Sequence, residues 1–284
     1  NHGKHIYCDK PLVAHLAETE ALVQALEGYR GTAQMTFQNR FFPSSITARK
    51  LVDQGVIGEV LSFRAAYLHG GSSDPNSPLK WKLTSEAGGG VIADLGSHVF
   101  DFVEHLAGPI QSLLATTHTA FKQRPSLDSP SSMMEVDAED SVVMLARLAS
   151  GAVGTLEATK IATGSEDELR CEIHGSRGAL RFNLMDPHHL EVFGLDTALS
   201  AQCDLPGWVR LDTGQRYQTP ASGFPSAKAS IGWLRAHVAS LANFLCAVSL
   251  QQPADPDLMQ GVRVQRLMDA AHRSTEQGKW VEVG

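Results

Sequence analysis

The period of the apolar positions changes near residue 58. Before it, short apolar runs alternate with helix-period segments. His5-Ile6-Tyr7-Cys8 reads as a short strand closed by Pro11. Leu16, Leu22, Val23 and Leu26 then recur at helical spacing up to Gly28, a residue suited to the left-handed position after a helix. Ala33 to Phe37 predicts a second strand, and Ser44 and Ser45 offer an N-cap for a helix through Leu51 and Val52 to Gly55. Strand, helix, strand, helix is the rhythm of a parallel α/β sheet.

Beyond Gly58 the period becomes mainly two. Glu59 to His69 predicts a long strand, followed by a turn-rich loop from Gly70 to Pro78. Ser97 to Ala107 has helical spacing and stops at Gly108-Pro109, whereas residues 120–136 read as loop. Ser141 to Leu148 and Ala152 to Thr159 alternate around Ser150-Gly151, and Leu169 to Ile173 pairs with Ala179 to Phe182 across Gly175-Ser176-Arg177-Gly178. Consecutive hairpins imply an antiparallel sheet. An apolar stripe of Ile231, Leu234, Val238, Leu241, Leu245 and Val248 marks a helix, and Asp255-Pro256 predicts the cap and first turn of a last helix ending near Gly278.

Length and charge narrow the class. At 284 residues the chain has room for two units, divided here as 1–57 and 58–284, the last helix packing back toward the first unit. Lys and Arg number 24 against 31 Asp and Glu, a net −7, which argues against nucleic acid and against an anionic membrane surface as partners. No apolar run is expected to span a bilayer, and the N-terminus lacks the apolar core of a signal peptide. Cys8, Cys171, Cys203 and Cys246 show no CxxC spacing and read as reduced thiols, so a cytoplasmic location is expected.

Two segments carry possible chemistry. Lys10, at the C-terminal end of the first strand, sits where ligands bind in open parallel sheets, although from position alone a solvated turn lysine is the simpler account. Gly88-Gly89-Gly90-Val91-Ile92-Ala93-Asp94-Leu95-Gly96-Ser97-His98 places Asp94 and His98 four apart at a helix start. A carboxylate beside an imidazole could raise its basicity for proton abstraction; alternatively Asp94 caps the helix and His98 is a packed core residue. Trp81, between Lys80 and Lys82, is either a ligand shelf or a loop anchor. His188-His189 lacks a third ligand at metal spacing, so no metal site is expected. The dinucleotide fingerprint Gly-x-Gly-x-x-Gly does not occur.

Taken together, these motifs resemble those of one family. Gly3-Lys4-His5-Ile6-Tyr7-Cys8-Asp9-Lys10-Pro11-Leu12 is similar to a signature of the glucose–fructose oxidoreductase / inositol dehydrogenase (Gfo/Idh/MocA) family. Asn39-Arg40 with Pro43, Gly58-Glu59-Val60, the Gly88 to His98 block, the hairpin at Gly175 to Phe182 and Gly278-Lys279-Trp280-Val281 resemble further family blocks in order. The resemblance implies the C-terminal part of a Rossmann nucleotide-binding domain, then an α+β domain with a large, mainly antiparallel open sheet.

It further implies a hydride-transferring oxidoreductase that uses NAD or NADP on a sugar or cyclitol. Lys10, Asp94 and His98 would form its catalytic set, Asp9, Lys10, Trp81 and Lys82 would contact cofactor, and Asn39, Asp94 and His98 would contact substrate. Asp9 stands where the family usually has Glu, and Lys82 where many relatives have Arg. Whether Lys10 or His98 is the primary base stays open. A non-catalytic sugar- or protein-binding relative and a glycosidase using bound NAD are the alternatives. The family's glycine-rich turn would lie about 90 residues upstream of residue 1, so a truncated nucleotide domain with weak NAD(P) binding is expected of the chain as written. An apolar outer sheet face predicts a homodimer or homotetramer.

Overall fold

The computed structural model describes residues 3–194, 207–214 and 232–284. Cys203 and Ile231, and with them part of two expectations above, lie outside the described residues. Strand β1 (Ile6–Cys8), helix α1 (Ala17–Leu26), strand β2 (Ala33–Met35) and helix α2 (Pro43–Asp53) follow the expected rhythm, and β1 and β2 pair in parallel. Ser44 and Ser45 do not cap α2. Pro43 opens the helix after extended Phe42, and both serines are buried inside it, Ser44 Oγ donating to the Pro187 carbonyl at 3.1 Å. Proline suits a first turn because its missing N–H would have no partner there.

Beyond residue 58 the chain builds a nine-stranded sheet. Its strands are β3 (Val60–Leu68), β4 (Ile110–His118), β7 (Ser141–Leu148), β8 (Val153–Thr159), β9 (Glu168–Gly175), β10 (Gly178–Asn183), β11 (His189–Gly194), β12 (Trp208–Asp212) and β13 (Val281–Glu282). The order is β12-β11-β10-β9-β3-β8-β7-β4-β13. Both predicted hairpins form, as β7–β8 and β9–β10. Every pairing is antiparallel except β3–β8, where Ser62 meets Val153 and Leu68 meets Thr159 in parallel. Residues 120–136, read as loop, contain a small hairpin of β5 (Gln123–Pro125) and β6 (Met133–Glu135).

One face of the sheet is covered by α3 (Ser97–Ala107), α2 and α5 (Leu258–Gln277). A single apolar core joins Met35, Phe37 and Phe42 to Phe63, Phe100, Leu113 and Leu156. Helix α5 also packs on β2 and α1. Its cap is Asp257, which accepts from the Gln260 N–H at 3.0 Å, not the expected Asp255; Asp255 instead reaches Arg40. Arg40 is buried in a bidentate pair with Asp101 of α3, with N–O distances of 2.9 and 2.5 Å, tying the turn after β2 to that helix.

Helix α4 (Trp233–Leu250) bears on one expectation. With 18 residues and a mean hydropathy of 1.2, it is long and apolar enough to cross a bilayer by length and composition. In the fold it lies on the turn at Gln38–Phe41, where buried Ser240 accepts from Tyr7 Oη at 3.0 Å and its carbonyl from Gln34 Nε2 at 2.9 Å. The outer sheet face is not uniformly apolar as expected. Val143, Leu145 and Val153 are exposed there, but alternation also turns out Arg64, Glu172 and Arg181, which form a charged ladder across β3, β9 and β10.

Candidate active site

Lys10 follows β1, and burial fixes where its ammonium can go. Nζ donates to the Asp94 backbone carbonyl at 2.5 Å and to Asp94 Oδ1 at 3.3 Å. Asp94 is no helix cap. It sits in a π-helical turn, Ile92–Gly96, ahead of α3, in which the Ser97 N–H reaches back five residues to the Ile92 carbonyl. Such a turn is an α-helix with one residue too many, a distortion often found at functional sites. Gly90, just before it, has φ +107°, and a Cβ there would strike the Glu139 carboxylate that binds the Ile92 N–H.

Two further lysines converge on the same carboxylate. Lys82 Nζ lies 3.0 Å from Oδ1, and Lys160 Nζ lies 3.3 Å from Oδ2. Lys160, at the end of β8, is buried and also donates to the carbonyls of Gly90 and Lys82. Burial alone would raise the Asp94 pKa, yet the charges of Lys10, Lys160 and Lys82 hold it well below the usual carboxylate range. Burial pushes Lys10 down from its ordinary value, only partly offset by Asp94.

His98 is brought near this cluster but not into contact with Asp94. It is buried, and its Nδ1 has no hydrogen-bond partner among the described residues. Burial, reinforced by the charge of Lys10, drives its pKa well below the ordinary value, so the imidazole is neutral at pH 7. Tyr67 meets His98 edge-on at 5.8 Å and Phe37 does so at 6.3 Å. Asn39 is buried beside Tyr67, and among the described residues neither of its amide atoms has a well-formed hydrogen bond. Orphaned polar groups of this kind are costly unless something satisfies them.

Asp9, Lys10, Trp81, Lys82 and Asp94 do line one cleft of about 270 Å³, with Gly88, Gly89 and Gly90 as its floor. Trp81 is 60% exposed, with Lys82 Nζ 5.7 Å from its ring. Asp9 is partly engaged, accepting from Thr36 Oγ1 at 2.5 Å. Sequence reasoning missed Lys160, Tyr67, His69 and Asp167, which stand at or beside strand ends around the site without any motif spacing. No group of three metal-ligating side chains occurs among the described residues.

Residues 49–283 match the family description "Oxidoreductase family, C-terminal alpha/beta domain", that of the Gfo/Idh/MocA proteins. The chain belongs to that family. Levoglucosan dehydrogenase of Pseudarthrobacter phenanthrenivorans is 31% identical over 99% of this chain and 74% of its own length. The structure of levoglucosan dehydrogenase in complex with NADH and L-sorbose superposes with a TM-score of 0.93 at 32% identity, over 99% of this chain and 74% of that one. Inositol 2-dehydrogenase of Rhizobium meliloti is 24% identical, over 99% and 74%. This Gfo/Idh/MocA chain is thus an oxidoreductase with the α/β fold of sugar and cyclitol dehydrogenases.

Proposed function

We propose that the protein is an NAD(P)-dependent dehydrogenase that oxidises a hydroxyl group of a sugar or cyclitol. The observation that carries this reading is Lys10, its pKa lowered, bonded to an ionised Asp94 in one cleft, with a buried, neutral His98 close enough to feel the charge of Lys10. The cleft fits the nicotinamide end of such a cofactor. About 270 Å³ suits a ring and its ribose rather than a whole dinucleotide, and the open Trp81 face offers a stacking surface. Asp9, Lys10, Trp81 and Lys82 would hold that end. When bound, the nicotinamide supplies the hydride acceptor.

The chain's own part is proton handling and positioning. The reacting hydroxyl would lie between Lys10 Nζ and His98. Lys10 is the better base of the two, because a lysine lowered from its ordinary value binds a proton more firmly than an imidazole driven well below its own. His98 then orients the oxygen as a neutral hydrogen-bonding group. Asp94, pinned by Lys82 and Lys160, supports the positive form of Lys10 as the proton arrives. The Asn39 amide, with no well-formed hydrogen bond among the described residues, is available to a second substrate hydroxyl.

The full-length protein should generate reduced nicotinamide, followed by absorbance, from NAD or NADP with levoglucosan or an inositol. Lys10→Ala should cut turnover by about two orders of magnitude or more, as for loss of one contact at the reacting oxygen, about 3 kcal/mol. Unaltered turnover in that variant would return Lys10 to a structural role. A homodimer or homotetramer through the outer sheet face is also proposed, supported by exposed Val143, Leu145 and Val153.

A further inference from the structure

Tyr67 near the end of β3 and His69 just beyond it share one acceptor. Tyr67 Oη donates to Asp167 Oδ1 at 2.6 Å, and His69 Nε2 lies 2.8 Å from the same oxygen. Their rings meet edge to face at 5.1 Å and 83°, and Tyr67 continues to His98. Asp167 is thereby fixed at one oxygen. Its Oδ2 has no hydrogen-bond partner among the described residues, and the side chain is 37% exposed. Burial raises the Asp167 pKa, but the hydrogen bonds from His69 and Tyr67, with the charge of Lys10, bring it below the ordinary value, so the carboxylate is ionised at neutral pH.

A buried tyrosine hydroxyl needs an acceptor, and that need alone would explain one bond to Asp167. It does not explain a second donor on the same oxygen, which sets the carboxylate plane and leaves the other oxygen open. Nor does it explain why the network runs up to His98. Asn39, whose amide atoms make no well-formed hydrogen bond among the described residues, adjoins Tyr67. A molecule with several hydroxyls would satisfy both groups at once, donating to Asp167 and exchanging bonds with Asn39.

We propose that Asp167, held by Tyr67 and His69, recognises a substrate hydroxyl other than the one oxidised, and so sets which polyols this enzyme prefers. This rests on the dehydrogenase reading. The ionised Oδ2 accepts a charge-assisted hydrogen bond from that hydroxyl, and a substrate lacking it leaves the carboxylate unpaired.

The test uses the full-length enzyme with levoglucosan and myo-inositol, each compared with its monodeoxy analogues by kcat/KM. One analogue of a working substrate should be poorer than its parent by about 10²-fold. Asp167→Asn keeps an oxygen for Tyr67 and His69 but puts an N–H₂ donor in place of Oδ2. That parent-to-analogue ratio should then fall to within about threefold of unity. His69→Gln, which frees the carboxylate plane while leaving Tyr67 as donor, should reduce the same ratio and serves if Asp167→Asn fails to fold. Ratios unchanged for every analogue in the folded variants would overturn the subsite while leaving the dehydrogenase standing. No turnover of either polyol by the unsubstituted enzyme would overturn the dehydrogenase reading and the subsite with it.

Discussion

Three ammonium groups share the Asp94 carboxylate, so substitutions around it should move the titration of Lys10 in opposite senses. Asp94→Asn removes the charge that favours protonated Lys10, and its already lowered pKa falls further. Because the base form is the active one for oxidation, the acidic limb of the pH–kcat/KM profile should shift to lower pH, with turnover down at least tenfold from lost positioning. Lys160→Met removes a neighbouring cation and frees Asp94 Oδ2 for Lys10, so the same limb should shift to higher pH. Matching shifts in both variants would rule out this coupling. The site was half legible in the sequence. Lys10, Asp94 and His98 lie in contiguous motifs, whereas Lys160 and Asp167 gain meaning only because β8 and β9 flank β3. Asp94 and His98 also show the limit of spacing. Four residues apart predicts a facing pair, but the π turn and three competing lysines leave them without a mutual hydrogen bond.

Elements were legible where local pattern alone decides them. The two tight hairpins, β7–β8 and β9–β10, and helix α3 carry their own periodicity and stops. Strand β4 was not read, since Ile110 to His118 lacks clean alternation and gains its pairing from β7 and β13. The parallel β3–β8 pair was equally hidden, because no local signal announces a partner about ninety residues on. Its closeness is measurable. A Cβ on Gly154 would run into the Phe63 carbonyl and ring across that pair. Gly154→Ala should therefore lower stability by about 1–3 kcal/mol, seen as a lower Tm in thermal unfolding. An unchanged Tm would mean the two strands can part at little cost.

At the scale of the molecule, composition pointed to the class but not to the surface. The outer sheet face mixes an apolar patch with a charged ladder, so an interface there would need both to be matched. Light scattering of the full-length protein at micromolar concentration should give a dimer or tetramer, and Leu145→Glu should shift it toward monomer without changing Tm. A monomeric mass before substitution would remove the sheet face from consideration. The parallel β3–β8 pair has one more consequence, this time for engineering. Since Leu68 lies beside Thr159 and Glu168, the strand ends carrying His69, Lys160 and Asp167 all open on one rim. The tight turns at Ser150-Gly151 and Ser176-Arg177 open on the other, where Ser62 meets Val153 and Val60 meets Gly175. Peptide tags or surface tethers spliced between Ser150 and Gly151 should leave turnover within about twofold, because surface loop tips tolerate insertion. The same splice between His69 and Gly70 should abolish it, which makes the 150 turn the natural handle for immobilising this protein.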